Sequence, residues 1–242
     1  MYSDLHPPYP VTKQPGTGLV PHLPPPRIVT PSAPLVGPLE GLLALDALDY
    51  VAIKHLSKSN EIALDFRLKN RYAILDHRGG VLFYAQEHAD EPTGRMCCRD
   101  DREFRVALVD LAGTEVALIR RSVSFLCWPS RSVVAVLSPD EREHIGYIRR
   151  DAACCGCTAQ LLVSKAGEDE ETEAEPKFLI STPTGGFGPE YKITDHETQD
   201  QVGSIKRKCD NVCVRFPAYL DVRMKSLLIG AAIMIDFAFD ED

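Results

Sequence analysis

Eight cysteines are the side chains of this 242-residue chain that could support the widest range of chemistry. Six of them lie in three short groups, namely Cys97, Cys98, Cys127, Cys154, Cys155 and Cys157. Adjacent cysteines do not easily bridge each other, so this spacing predicts no disulfide framework. Three interpretations stay open: a zinc site that uses Cys154 with Cys157, acylation of clustered cytosolic thiols, or small apolar side chains that fill strands.

Histidine is the second residue type that could carry chemistry, and the seven histidines are scattered along the chain. No two of them form an H-x-x-x-H pattern, and no serine lies in a nucleophile-elbow pattern. The sequence therefore predicts a protein that performs no covalent catalysis.

Charge and composition narrow the classes of ligand. The net charge of −8 argues against nucleic acid as the main partner. No long basic stripe is present, which argues against simple adhesion to an anionic membrane. Residues 1–38 hold no apolar signal segment, so we expect a domain that faces the cytosol and keeps its cysteines reduced.

The first 37 residues are rich in proline, and proline cannot propagate a helix or a sheet. They predict a disordered or polyproline II tail that precedes a folded domain over residues 38–242. Three PxxP spacings could bind SH3-type or WW-type adaptor domains: Pro7 with Pro10, Pro21 with Pro24, and Pro31 with Pro34. The stretch 31–34 also resembles a short motif that membrane-sorting adaptors bind, although plain tethering is the alternative.

In the folded domain, the sequence predicts a short helix near residues 38–49 followed by a series of short strands. The predicted strands are 50–55, 62–68, 72–75, 81–85, 104–108, 115–119, 132–137, 145–148, 160–164, 178–181, 191–194, 202–205 and 212–216. About a dozen strands with turn signals every 8 to 12 residues are typical of a β-barrel or a sandwich. The mainly β fold class follows from this pattern.

The apolar stretch 226–239 is the last element, and Asp236 lies within it. Its 14 residues would span about 21 Å as a helix, whereas a bilayer core is about 30 Å thick. The stretch is apolar nearly all round, so a fold must enclose it. We predict a core helix threaded through a closed barrel, formed by Ser226, Leu227, Leu228, Ile229, Gly230, Ile233, Ile235, Asp236, Phe237 and Phe239.

Several blocks of the chain resemble the phospholipid scramblase family. These blocks are Gly37–Leu42, Asn70–Ile74, Gly79–Glu87, Ile145–Ile148, Val202–Lys206 and the closing block Leu220–Phe239. The resemblance implies a Tubby-like fold, which is a twelve-stranded closed barrel around a hydrophobic C-terminal helix. It also implies ATP-independent, calcium-stimulated, two-way movement of phospholipids across the plasma membrane, with palmitoylated cysteines and, in some members, nuclear import.

The resemblance also places a calcium loop and a cysteine motif on this chain. The loop falls on Lys208–Tyr219, where an EF-hand-like loop needs oxygen ligands at positions 1, 3, 5 and 12. Only Asp210, at position 3, is a carboxylate among those four. The family's cysteine cluster falls on Cys127, which leaves the other five grouped cysteines as additional acylation candidates.

Two hypotheses follow. The first is a scramblase on the cytosolic face of the plasma membrane, with calcium as cofactor and the phospholipid membrane as partner. This hypothesis is compatible with a nuclear pool and with an oligomeric state. The second is a non-transporting adaptor of the same fold that binds lipid or protein and has lost calcium control.

Overall fold

The computed structural model describes residues 39–56, 71–88, 104–121, 133–151, 160–167, 175–182, 188–208 and 211–239. Within these ranges it contains twelve strands, one 3₁₀ helix and one α-helix. The predicted tail over residues 1–37 and the predicted strand over 62–68 lie outside the described residues.

The strands are short, and most bury every second side chain, as in β1, where Val51 and Ile53 are buried. This alternation gives most strands one apolar face that points into the core. The strands are β1 (Tyr50–His55), β2 (Arg71–Leu75), β3 (Val81–Glu87), β4 (Phe104–Val109), β5 (Glu115–Arg121), β6 (Val133–Leu137), β7 (His144–Asp151), β8 (Gln160–Lys165), β9 (Phe178–Ser181), β10 (Glu190–Asp195), β11 (Gln201–Lys208) and β12 (Asn211–Arg215).

Each strand pairs in antiparallel fashion with its neighbours along the chain, and β12 pairs with β1 to close a barrel. In the closing ladder, Ala52 lies opposite Cys213 and Lys54 lies opposite Asn211. Closure satisfies the backbone groups that would otherwise remain unpaired at two sheet edges. The predicted fold class, a closed barrel of about twelve strands around a C-terminal helix, is confirmed.

Because neighbouring strands alternate in direction, the barrel has two distinct ends. At the entry end, β1 begins, and short turns join β2 to β3 and β4 to β5. Asp76 forms the first of these turns by accepting hydrogen bonds from the backbone of Arg78 and Gly80, both at 2.8 Å. At the exit end, the odd-numbered strands finish and the even-numbered strands begin.

The α-helix, α1 (Val222–Phe239), follows β12 from the entry end and runs inside the barrel. The side chains of Leu227, Ile229 and Ile233 are fully buried. A Cβ atom added at Gly230 would lie 3.1 Å from Ile148 Cδ1, so the helix backbone packs directly on the wall. The barrel wall therefore supplies the enclosure that an all-round apolar helix requires.

Candidate functional site

The helix residues singled out from the sequence lie in α1, and the interior of the barrel surrounds them. Among the predicted set, Ser226, Leu227, Leu228, Ile229, Gly230, Ile233, Ile235 and Asp236 are buried. The side chains of Phe237 and Phe239 lie outside the described residues. No helix in the described ranges combines the length with the apolar composition that crossing a bilayer demands.

Lys225 fixes the start of α1 at the entry end. Its side chain is 0 % exposed, and its ammonium donates hydrogen bonds to the carbonyl oxygens of Leu45 at 3.0 Å, of Asp46, and of Ala218 at 2.8 Å. The ammonium also lies 5.5 Å from the ring centroid of Phe216. A single buried charge therefore ties α1 to the 3₁₀ helix Glu40–Leu45 and to the turn after β12.

Burial sets the acidity of this lysine. Desolvation lowers the pKa of Lys225 to about 8, and the attraction of Asp46, Asp49 and Asp221 opposes the shift. The three carbonyl acceptors also favour the charged form, because they interact more strongly with an ammonium than with an amine. The ammonium therefore persists in the interior at neutral pH.

Charged residues of a different kind are buried near the exit end of the barrel. Asp236 is buried, and its Oδ1 lies 3.7 Å from Nε of Arg207 on β11. Glu87 at the end of β3 and Arg121 at the end of β5 are also buried. The interior near the exit end thus contains charged residue types, whereas the middle of α1 packs on aliphatic side chains.

The segment predicted to hold calcium is a strand and a turn in its described part. Residues Asn211–Arg215 form β12, which pairs with β1 on one side and β11 on the other. Val212 and Val214 point into the core, and Tyr219 is 76 % exposed. A strand paired on both sides cannot wrap around an ion as an EF-hand loop does.

The described residues therefore do not fit an EF-hand calcium site. Asp210, the carboxylate on which the prediction rests, lies outside the described residues. Within the described ranges, no three histidine, cysteine, aspartate or glutamate side chains lie close enough together to hold a metal ion.

The six cysteines predicted as acylation candidates and the six prolines predicted as docking residues also lie outside the described residues. The segments that contain these cysteines join β3 to β4, β5 to β6 and β7 to β8. All six of these strand ends are at the exit end of the barrel.

A half-open groove of about 1210 Å³ lies on the outer wall over β11, β12 and β1. The groove is lined by Tyr50, Lys206, Lys208, Cys213 and Arg215, among other residues. The hydroxyl of Tyr50 donates a hydrogen bond to Sγ of Cys213 at 3.1 Å. This bond, together with burial, raises the pKa of Tyr50 to about 12.

The groove belongs to a larger cationic surface that the sequence did not reveal. We call this surface the basic face, and its members are Lys54, Lys192, Lys206, Lys208 and Arg215. They come from four strands, and the one basic run that includes any of them, 206–208, is only three residues long. The available signal was the alternation of Lys206 with Lys208 along a strand, which places both side chains on one face.

Comparison with known proteins identifies the relatives of this barrel. The family model described as Scramblase matches residues 29–242, a range that includes every strand and α1. The chain belongs to the scramblase family. This membership confirms the family that the sequence blocks indicated.

Individual relatives agree with this membership. The chain is 28 % identical over 229 residues to human phospholipid scramblase 1, covering 89 % of this chain and 70 % of that protein. It is 28 % identical over 250 residues to phospholipid scramblase 2 of Bos taurus, covering 96 % of this chain and 82 % of that protein. An Arabidopsis thaliana protein solved by X-ray crystallography is 16 % identical with a TM-score of 0.46, covering 80 % of this chain and 96 % of that chain.

Proposed function

We propose that this protein facilitates ATP-independent, two-way movement of phospholipids between the leaflets of the plasma membrane, from its cytosolic face. The observation that carries the proposal is the family match over residues 29–242, which spans the whole barrel together with α1. Relatives that cover most of this range carry the name phospholipid scramblase.

Such an activity is noncovalent. Spontaneous lipid movement is slow because a polar headgroup loses its hydration when it enters hydrocarbon. A protein accelerates the movement by offering polar partners along the way, and no bond needs to be formed or broken. Charged side chains near the exit end, such as Asp236 and Arg207, are partners of this type.

The filled interior limits the route that a lipid can take. Leu227 and Ile233 of α1 are fully buried, and the helix occupies the space inside the wall. A headgroup can therefore pass either along the outside of the protein in an assembly of several copies, or through the barrel after α1 has moved. Only the second route requires α1 to move out of the barrel interior.

Attachment to the membrane is the second part of the proposal. Acylation of at least two of the grouped cysteines would give stable anchoring, because a single acyl chain binds only marginally. The strand ends that these cysteine segments join are at the exit end. Acylation would thus attach the protein near the same end at which α1 finishes.

Calcium stimulation remains a prediction from the family resemblance, with Asp210 as its residue. The described part of 208–219 does not wrap around an ion, so no mechanistic step is assigned to calcium. A nuclear pool, an oligomeric state and adaptor binding through the proline-rich segment also stay predictions.

The direct test is lipid flip in vesicles that contain the purified full-length chain and a fluorescent phospholipid. We expect a membrane-impermeant quencher to remove the fluorescence of both leaflets, whereas protein-free vesicles lose only that of the outer leaflet. Asp210→Ala, compared with wild type with and without millimolar calcium, tests the ion separately. A quenched fraction equal to that of protein-free vesicles under both conditions would contradict the proposal.

A covalent lock separates the two routes. A Cβ atom at Gly230 would lie 3.3 Å from Cγ2 of Val136, so cysteines at both positions can trap α1 against β6. If α1 must move, oxidation of the Gly230→Cys, Val136→Cys variant abolishes flip and reduction restores it. The Gly230→Cys single variant is the control, and peptide mass spectrometry verifies the bridge among the native cysteines. Full activity of the locked variant assigns the route to the outside of the protein.

A second function is favoured by the enclosed helix, because a barrel with a filled interior is suited to binding rather than to transport. In this alternative the chain is a lipid-binding or protein-binding adaptor that moves no lipid. It predicts membrane binding with no flip in the vesicle assay.

A further inference from the structure

The basic face is arranged in rows across the outer wall. Arg215 on β12 lies opposite Ser204 on β11, which in turn lies opposite Lys192 on β10. In the next row, Lys206 lies opposite Cys213. Neighbouring strands are about 4.8 Å apart and alternate residues about 7 Å apart, so these cations share one continuous patch.

The last row of this face lies nearest the exit end. Lys208 is opposite Asn211, and Lys54 is opposite the same Asn211 from the other side. Two lysines therefore flank one polar residue at the strand ends. The patch runs from Arg215, near the entry end, to these two lysines at the exit end.

The charge of this face contrasts with that of the chain. The whole protein has a net charge of −8, but the basic face gathers five cations. Within the described ranges, Glu190 is the carboxylate that pairs with a member of the face, at 2.9 Å from Lys206. Lys54, Lys192, Lys208 and Arg215 are exposed. Asp49 also lines the groove, but cations outnumber carboxylates on this face, and the excess favours anions.

Aromatic side chains accompany these cations. The guanidinium of Arg215 lies 5.7 Å from the ring centroid of Tyr50. Tyr219 lines the entry-end part of the groove and is 76 % exposed. Aromatic rings beside lysine and arginine are typical of surfaces at the membrane interface, where the ring is half immersed and the cation reaches a phosphate.

We infer that the basic face docks the barrel on a leaflet of anionic phospholipids, with the outer wall over β10, β11, β12 and β1 against the headgroups. The choice of a phospholipid leaflet as the partner rests on the proposed function, since a protein that moves lipids must contact a bilayer. The contact itself requires only that phosphate and carboxylate groups of headgroups meet Lys54, Lys208 and Arg215.

Vesicle flotation with the full-length chain tests the docking. We expect wild-type protein to float with phosphatidylcholine vesicles that contain phosphatidylserine and to bind pure phosphatidylcholine far more weakly. The variant that combines Lys208→Gln with Arg215→Gln should bind the anionic vesicles about 25-fold more weakly, because each neutralised cation near the surface weakens binding about fivefold.

The matched control is Arg142→Glu, which changes the net charge by the same two units. Arg142 lies in the turn between β6 and β7, away from the basic face, and its side chain is 88 % exposed. We expect this variant to bind within about twofold of wild type. Equal losses in the control and the double variant would overturn the inference, because net charge alone would then explain the binding.

Cys213 provides a second readout inside the face. It is a free, half-buried cysteine in the centre of the groove. Docking should slow its modification by a water-soluble maleimide when anionic vesicles are added, as measured on the isolated peptide by mass spectrometry. Unchanged modification in the presence of saturating anionic vesicles would place the contact elsewhere and overturn the inference.

Failure of the docking and failure of the proposed function give different results. Wild-type flip combined with full vesicle binding by the Lys208→Gln, Arg215→Gln variant would refute the docking and leave the lipid movement intact. Face-dependent binding without flip would support the docking and refute the transport. Face-dependent binding to an acidic protein or to RNA, with none to anionic vesicles, would refute the docking.

Discussion

The two ends of α1 hold buried charges in opposite ways. At the entry end, neutral backbone carbonyl oxygens compensate the ammonium of Lys225. At the exit end, the carboxylate of Asp236 faces the guanidinium of Arg207 at 3.7 Å, near the buried ends of strands that carry further charges. One end thus compensates its charge with backbone dipoles, and the other with a side chain of opposite charge.

This difference indicates which end can open. The carbonyls around Lys225 are in place only when the 3₁₀ helix and the turn after β12 are folded, so releasing the ammonium means unfolding the entry end. Side chains at the exit end can exchange one ionic partner for water or for a headgroup at lower cost. We expect any movement of α1 to begin at the exit end.

The strongest test of this comparison is Lys225→Met. The substitution keeps most of the side-chain volume but leaves three carbonyl oxygens without their donor. We expect the free energy of unfolding to fall by about 3–5 kcal/mol in urea denaturation. The control is Lys165→Met, which removes an exposed pair with Asp221 at the same end and should cost at most about 1 kcal/mol. Similar losses in the two variants would refute the anchoring role.

The pH dependence of the free energy of unfolding is a second test of Lys225. Since the pKa of Lys225 is about 8 when folded and 10.5 in the reference state, the unfolded chain binds the proton more tightly between these values. Stability contributed by this group is therefore lowest below pH 8, rises with pH up to about 10.5, and is constant above.

Wild type should gain up to about 3 kcal/mol relative to Lys225→Met across this window. The measurement is urea denaturation of both proteins at several pH values. A difference that stays flat, or that falls with pH, would show that the ammonium is not desolvated as the structure indicates.

The smallest of the three effects is expected at the exit end. Replacing Asp236 by Asn leaves the guanidinium of Arg207 without its carboxylate and should cost about 2–3 kcal/mol. A double-mutant cycle with Arg207→Gln should give a coupling of about 1–2 kcal/mol, because each residue also takes part in further interactions. A coupling near zero would mean that the ion pair does not hold this end, and the contrast between the ends would fail.

Much of the fold could be predicted from the sequence because its signals are local. Alternating burial in strands such as β1 and the all-round apolar character of 226–239 need no knowledge of distant residues. The length of that stretch, set against the thickness of a bilayer, indicated an enclosed helix.

The features of the site are nonlocal, and the sequence missed them for that reason. Two acceptors of Lys225, on Leu45 and Asp46, lie about 180 positions away along the chain, and no local pattern connects residues so far apart. The basic face is likewise divided among four strands, so a search for long basic runs did not reveal this cationic surface. The resemblance placed a calcium loop on 208–219, where pairing with β1 and β11 makes a strand of residues 211–215.

The closing ladder has a consequence for the order in which the molecule is made. Tyr50 and Cys213, whose side chains form a hydrogen bond across the seam, are separated by 163 positions along the chain. During synthesis one edge of β1 therefore stays unpaired until β12 has emerged from the ribosome, and α1 emerges after β12. Contacts of such high sequence separation form slowly. Until α1 has been synthesised, the strands lack the helix that fills the barrel interior. The newly made apolar helix can therefore contact a chaperone or a membrane before it packs inside the barrel.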